Sequence, residues 1–401
     1  MMAAGRAAEK GESVLLVEKN PSLGRKLLIS GGGRCNFTNA EADPRVLAER
    51  YGDAKHALLS PFSKFPPAEV MEWFARRGMP YKVEANQRAF PVDDSAQSVL
   101  GVLERYLVEG KVEVRRGFEV TGFEAESEKI LAVVGRQGRL RAGRFVLATG
   151  GTSRPETGST GDGFLWLKAL GLRVRFPEPS LVPVAVREPW VADLAGLALS
   201  DAGIEAWVGD ERLGRQRGKL LFTHFGLSGP VVLNFATELS RWRSQTARRG
   251  DLILKLDLFP DVDSRDLDRQ LVNLFAVQPG KKLKNALGTL VAPRLVGRIL
   301  SSGNLDPDKS LAQVTRVERE ALGTQLKGFP FTFKKLMDES RAVVSSGGLH
   351  IEEVDWRTMS CKKIPNLAVT GDLLDINRPS GGFSLQLCWA TGRVAGEPRS
   401  F

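Results

Sequence analysis

Cysteine is scarce in this chain: Cys35, Cys361 and Cys388 are the three present in 401 residues. They lie far apart, form no C-x-x-C pair and match no zinc-ligand spacing. A disulfide framework and a structural metal are therefore not expected, and reduced thiols in a reducing compartment are. Long apolar runs are also missing. None approaches the roughly 20 residues that cross a bilayer, and Met1 is followed by no charged segment with an apolar stretch of signal-peptide type. The expectation is a soluble cytoplasmic protein with no membrane partner. The sequence contains no internal repeat and no low-complexity tract. Acidic residues are the minority charge, 47 Asp and Glu against 57 Lys and Arg, giving a formal charge of +10. That balance favours a polyanionic partner such as RNA, although a solvated Arg-rich surface accounts for it equally well.

What is there is globular: 42% hydrophobic and 26% charged residues, in a chain long enough for two or three domains. Met1 to Gly11 reads as a helix and Ser13 to Val17 as a buried strand, with Glu18 at its end. In a dinucleotide-binding βαβ unit, an acidic residue there accepts hydrogen bonds from a ribose, about 20 residues after a glycine-rich turn. Counting back by that spacing passes Met1, so the first strand and the G-x-G-x-x-G turn are expected to lie upstream. With them would go the N–H groups that face a pyrophosphate.

Lys19 to Arg25 reads as a polar turn, followed by Lys26-Leu27-Leu28-Ile29-Ser30-Gly31-Gly32-Gly33-Arg34-Cys35-Asn36. Three glycines in a row let backbone approach a ligand closely. Arg34, Asn36 and Thr38 would crowd donors around them, as an anion or flavin site requires.

Further on, apolar spacing predicts helices over Pro66 to Gly78 and Ala96 to Val108. Val112 to Val114 and Phe118 to Phe123 read as strands, and Ile130 to Val134 with Leu140 to Phe145 as a hairpin. Val146 to Ala148 runs into Thr149-Gly150-Gly151, where backbone is expected to pass close to a ligand, and a helix follows over Phe164 to Leu170. A proline-rich stretch, Pro177 to Pro189, marks a boundary. Beyond it Ala192 to Val208 reads as a strand, and Leu267 to Phe275, Lys281 to Leu290 and Pro293 to Leu300 as helices. The first domain's pattern resumes with Ala342 to Ile351. The predicted architecture is α/β: a split nucleotide-binding domain over 1–185 and 341–401, interrupted over 186–340 by a β-rich and helical, substrate-facing insertion. Two basic clusters fall in that insertion, one with Arg215, Arg217 and Lys219 and the other with Lys281, Lys282 and Lys284. Either alone reads first as an exposed face.

Near the end, the short strand Leu367 to Val369 turns at Thr370-Gly371-Asp372, and Gly381-Gly382-Phe383 opens a helix. This arrangement supplies a carboxylate for a polyol and free N–H groups for partial negative charge. An ordinary N-cap role for Asp372 competes with that reading.

Three separated runs carry a specific resemblance: KLLISGGGRCNFTN from Lys26, GKLLFTHFGLSGP from Gly218, and AVTGDLLDINRPSGGFSLQLCWATGRVAG from Ala368. In them the chain resembles the BaiN/RdsA-like family of FAD-dependent oxidoreductases. The resemblance implies an FAD/NAD(P)-binding Rossmann-like domain with its first strand and glycine-rich turn missing, FAD and NAD(P)H as cofactors, and reduction of a conjugated C=C, in a steroid-like enone or in a ribosomal RNA uridine. Without that turn, this chain is expected to bind FAD more weakly than one extended upstream. It implies that Glu18 holds the adenosine ribose, with Lys19 and Lys26 in the same site, and that Gly31, Gly32, Gly33, Arg34, Asn36 and Thr38 line the flavin. Val120 would touch the adenine through its backbone. Thr149, Gly150 and Gly151 would pack near the pyrophosphate, and Gly371, Asp372, Gly381, Gly382 and Phe383 along the ribityl chain and ring. Cys35 is the first candidate for the proton donor, against a role as space-filler, and His224 is the second. The substrate is expected to be ribosomal RNA or a small enone, which salt dependence separates. A cofactor-less RNA-binding or assembly protein is the third reading.

Overall fold

A computed structural model of the chain describes residues 1–180, 182–246, 250–337 and 344–398. They form two compact units, one made of Met1–Ser180 with Glu339–Phe401 and one of Leu181–Asp338. The sequence boundary at 185 falls within the short strand Val184–Val186, which pairs with Gly226–Ser228 and Phe329–Leu336 and so belongs to the second unit. The boundary at 340 lies outside the described residues, as does Ala342.

The first unit is α/β. Strand β1 (Leu15–Glu18) lies parallel to β2 (Glu113–Arg116), and β3 (Phe145–Leu147) lies parallel to β4 (Leu367–Val369). The short apolar runs of β1, β3 and β4 suit parallel strands, whereas β2 reads Glu-Val-Arg-Arg and is mostly exposed. No ladder joins the two pairs among the described residues. Each residue of β1 is only half-buried, and Val146 in β3 is exposed.

Helix α1 (Met2–Glu9) packs on α3 (Phe383–Ala395) at glycine: a β-carbon at Gly396 would lie 2.5 Å from the Ala3 carbonyl oxygen. Val70, Trp73 and Phe74 form the buried face of the helix Pro67–Arg76, each worth about 1.5–3 kcal/mol of burial. Helix α2 (Asp162–Ala169) follows β3. The expected hairpin around residue 140 ends earlier than its apolar run suggests. Lys129–Gly135 pairs with Gly138–Arg141 in a separate antiparallel sheet, and Phe145 starts β3 instead.

The second unit is a closed antiparallel barrel of six strands: Val184–Val186, Gly226–Ser228, Glu211–Thr223, Ala198–Val208, Leu252–Asp257 and Phe329–Leu336. Closure leaves no strand edge. Residues 192–197 are not part of it, because Pro189–Leu194 winds into a 3₁₀ helix. Ser264–Val277 and Arg316–Gly328 are among its helices, and both begin where the sequence supplies a cap. Asp263 accepts from two backbone N–H groups, and Thr315 forms a capping box with Glu318.

Candidate functional site

Glu18 ends β1, and its carboxylate is aimed by its neighbour. The backbone N–H and the side-chain amide of Asn20 both donate to Oε1 at 2.8 Å, and no bond to Oε2 is formed among the described residues. Asn20 is itself anchored by Arg25 and by the Thr157 carbonyl. The segment that leads to Val120 passes alongside, since Phe118 N–H donates to the Glu18 carbonyl at 3.1 Å. Lys19 ties the end of β1 to the start of α2 by donating to Thr160 and, at 2.9 Å, to Asp162. Burial opposes ionisation of Asp162, but the hydrogen bonds from Thr160 and Lys19 outweigh it and hold the carboxyl below its usual value.

Gly31, Gly32 and Gly33 all adopt positive φ, at 57°, 68° and 89°, which glycine alone takes up at little cost. A β-carbon on Gly32 would meet nothing within 4 Å, so the backbone there is open to a ligand. The polar residues around the loop have other work. With its amide oriented to satisfy both ends, Asn36 donates to the Thr38 and Ala89 carbonyls and accepts from Gly382 N–H at 2.9 Å. Thr38 donates to Gln386 Oε1 at 2.6 Å. Both therefore stitch the loop to the start of α3.

Arg34, one of the donors expected around the glycines, is already engaged. It is bound by Glu84 and Asp94 and stacks over Phe90, 4.2 Å from the ring centre. Cys35 is fully buried within the apolar core, at φ 59°, and burial pushes its thiol up to about 12. At neutral pH it is a protonated, weakly acidic core residue.

Three chain segments meet at Lys26. Its ammonium donates to Ser153 Oγ at 2.8 Å and lies 3.6 Å from Asp372. Ser153 follows the buried Gly151 on the turn after β3, where Gly150 has φ 77°. Thr149 packs so tightly on Gly163 that a β-carbon there would lie 2.3 Å from its hydroxyl. Asp372 follows Gly371 (φ 64°) on the turn after β4, and Gly371 N–H donates to Thr391.

Arg378, a residue sequence reasoning missed, grips Asp372 from the other side. Burial opposes ionisation of Asp372, yet Arg378 and Lys26 together hold its carboxyl below the usual range. Helix α3 then starts behind Gly381 and Gly382, at φ 123° and 97°, with no side chain capping it. The Gly381 carbonyl accepts from Asn39, and that of Phe383 from Tyr51 at 2.8 Å. An open carboxylate oxygen at a strand end, bare glycine backbone, a buried acid and an uncapped helix start are features that fit FAD.

The second unit carries the other candidates. His224 is exposed and set against the Phe225 ring. Most cations of the basic clusters have a carboxylate partner: Arg217 pairs with Asp201 and Asp261, Arg215 shares Asp257 with Lys327, and Lys282 and Lys284 share Asp308.

The chain belongs to the family described as HI0933-like protein, Rossmann domain, whose model matches residues 1–398. It is 30% identical over 398 residues to a ribosomal RNA dihydrouridine synthase of Escherichia coli, covering 98% of this chain and 93% of that one. It is 27% identical over 384 residues to a 3-dehydro-bile acid delta(4,6)-reductase of Clostridium scindens, covering 96% and 91%. Among solved structures, 3-ketosteroid delta1-dehydrogenase of Sterolibacterium denitrificans has a similar fold, with TM-score 0.54, 13% identity and coverage of 98% and 96%. A 3-ketosteroid-delta4-(5alpha)-dehydrogenase of Rhodococcus jostii gives 0.52 at 15% identity, covering 98% and 93%.

Proposed function

We propose that this chain is an FAD-dependent oxidoreductase that uses NAD(P)H to reduce a C=C bond conjugated to a carbonyl, with a uridine of ribosomal RNA as substrate. The observation that carries this reading is Lys26 bound to Ser153 and beside Asp372. It joins the beginning, centre and tail of the chain at the place where the resemblance puts the ribityl chain. RNA as substrate is supported by the relatives of E. coli and Haemophilus influenzae. Both are named ribosomal RNA dihydrouridine synthase, and each match covers 98% of this chain.

Bound FAD supplies the hydride chemistry; the protein's own residues bind and orient. Glu18, held by Asn20 through Oε1, would offer Oε2 to the adenosine ribose. Gly31, Gly32 and Gly33 would let backbone lie against the ring, and Asp372 would orient the ribityl hydroxyls. The uncapped first turn of α3 would direct N–H groups and a partial positive charge at the cofactor. Cys35 is assigned to packing.

A small enone is the second reading. The pairing of Arg217 with Asp201 and Asp261 favours it, because a cation already held by carboxylates displaces few of the counterions condensed on RNA. The test is to offer the purified, FAD-loaded protein and NAD(P)H either unmodified ribosomal RNA or a 4-ene-3-keto steroid. Dihydrouridine in the RNA, with affinity falling steeply as salt rises, supports the proposal. Unchanged RNA with consumption of the steroid supports the second reading.

A further inference from the structure

Resting on the flavin reading above, we infer that Lys26 and Arg378 act together as charge-tuning residues, leaving one surplus positive charge around Asp372 that raises the reduction potential of the bound flavin. Two cations share this one carboxylate. The side chain of Arg378 is 1% exposed and that of Asp372 13%, so water screens the cluster poorly. Its other titratable neighbours do not cancel the excess. Cys388 sits within the cluster, and its thiol, pushed up to about 12 chiefly by burial, is neutral at pH 7. Tyr51, pushed up by burial despite the charge of Arg378, is neutral as well. The charged groups acting on Cys388 are Asp372, Arg378 and Lys26.

The surplus is also fixed in place. Arg378 donates to the Ile376 carbonyl at 2.7 Å and to Ser384 Oγ at 3.1 Å while holding Asp372. One guanidinium thus locks the loop between β4 and the first turn of α3. Lys26 is positioned by Ser153. A cation pair of this kind, held beside an uncapped helix start, favours negative charge developing there. Reduction of a flavin places such charge on its pyrimidine ring, which is how electrostatic preorganisation becomes a shift in potential.

The experiment measures the midpoint potential of the FAD-loaded protein against a reference dye for the wild type, Lys26→Met, Arg378→Met and Arg378→Lys, with thermal stability recorded in parallel. The inference expects a lower potential in both Met variants and a value near wild type in Arg378→Lys. Lys26 is 31% exposed, so Lys26→Met decides the matter even where Arg378→Met does not fold. Flavin-loaded Lys26→Met with an unchanged potential overturns the inference, whatever its thermal stability, and leaves the flavin reading intact. Wild-type protein that takes up no FAD overturns the flavin reading and this inference with it.

Discussion

A β-carbon placed on Gly382 would lie 2.4 Å from both the carbonyl carbon and the carbonyl oxygen of Thr38. The start of α3 therefore rests directly on the backbone that follows the glycine loop, and Gly382 holds φ 97° to do so. Gly382→Ala meets both a steric overlap with backbone and an unfavourable dihedral. It is expected to cost about 3 kcal/mol, seen as a lower urea midpoint, with weaker FAD retention. Gly32→Ala, at φ 68° with nothing within 4 Å, meets the dihedral cost alone and should lose about 1 kcal/mol.

Glu18→Gln removes the charge offered to the ribose while keeping the shape that Asn20 grips. FAD affinity should fall about tenfold or more, measured by flavin fluorescence during titration of the apoprotein. Unchanged affinity would detach Glu18 from the cofactor.

Cys35→Ala tests the proton donor suggested by sequence. The thiol is buried and held at about 12, so turnover should stay within about twofold, whereas removal of a true general acid costs about 10²–10⁴-fold. The pH–rate profile should keep its shape, and the variant should be modestly less stable from the lost volume.

Asp372 gives the protein an acid-sensitive contribution to stability. Its folded pKa is depressed by Arg378 and Lys26 against the cost of burial. The stabilisation is therefore fully present above about pH 4, the unfolded Asp value, and is lost as pH falls through the lower folded value. Asp372→Asn should be less stable than wild type at pH 7, and the gap in urea midpoint should narrow as pH falls below about 4.

Much of this was legible because it is local. The apolar spacing of Val70, Trp73 and Phe74 marked a helix now seen over Pro67–Arg76. The run from Leu367 through Gly371-Asp372 to Gly382 marked strand, turn and helix in the right order. What escaped depends on pairing across the fold. Nothing in the glycine loop shows that Arg34 is paired, because Glu84 and Asp94, which bind it, lie 50 and 60 residues away. Arg215 and Arg217 read as a basic face because their carboxylate partners sit on other strands and loops of the barrel. Arg378 lies six residues from Asp372 on a loop without periodicity, so no spacing rule pointed to it. Cys35 looked reactive because of its neighbours in sequence, while its exposure is set by the core that includes Phe37, Trp73 and Phe74.

The most direct test of the central claim, that these segments enclose an FAD, is the visible absorbance spectrum of the purified protein after incubation with FAD and gel filtration, before and after anaerobic NADH or NADPH. The account predicts oxidised-flavin bands that stay with the protein and bleach on addition of the nicotinamide. A colourless protein fraction, with all flavin recovered in the small-molecule fraction, would contradict it.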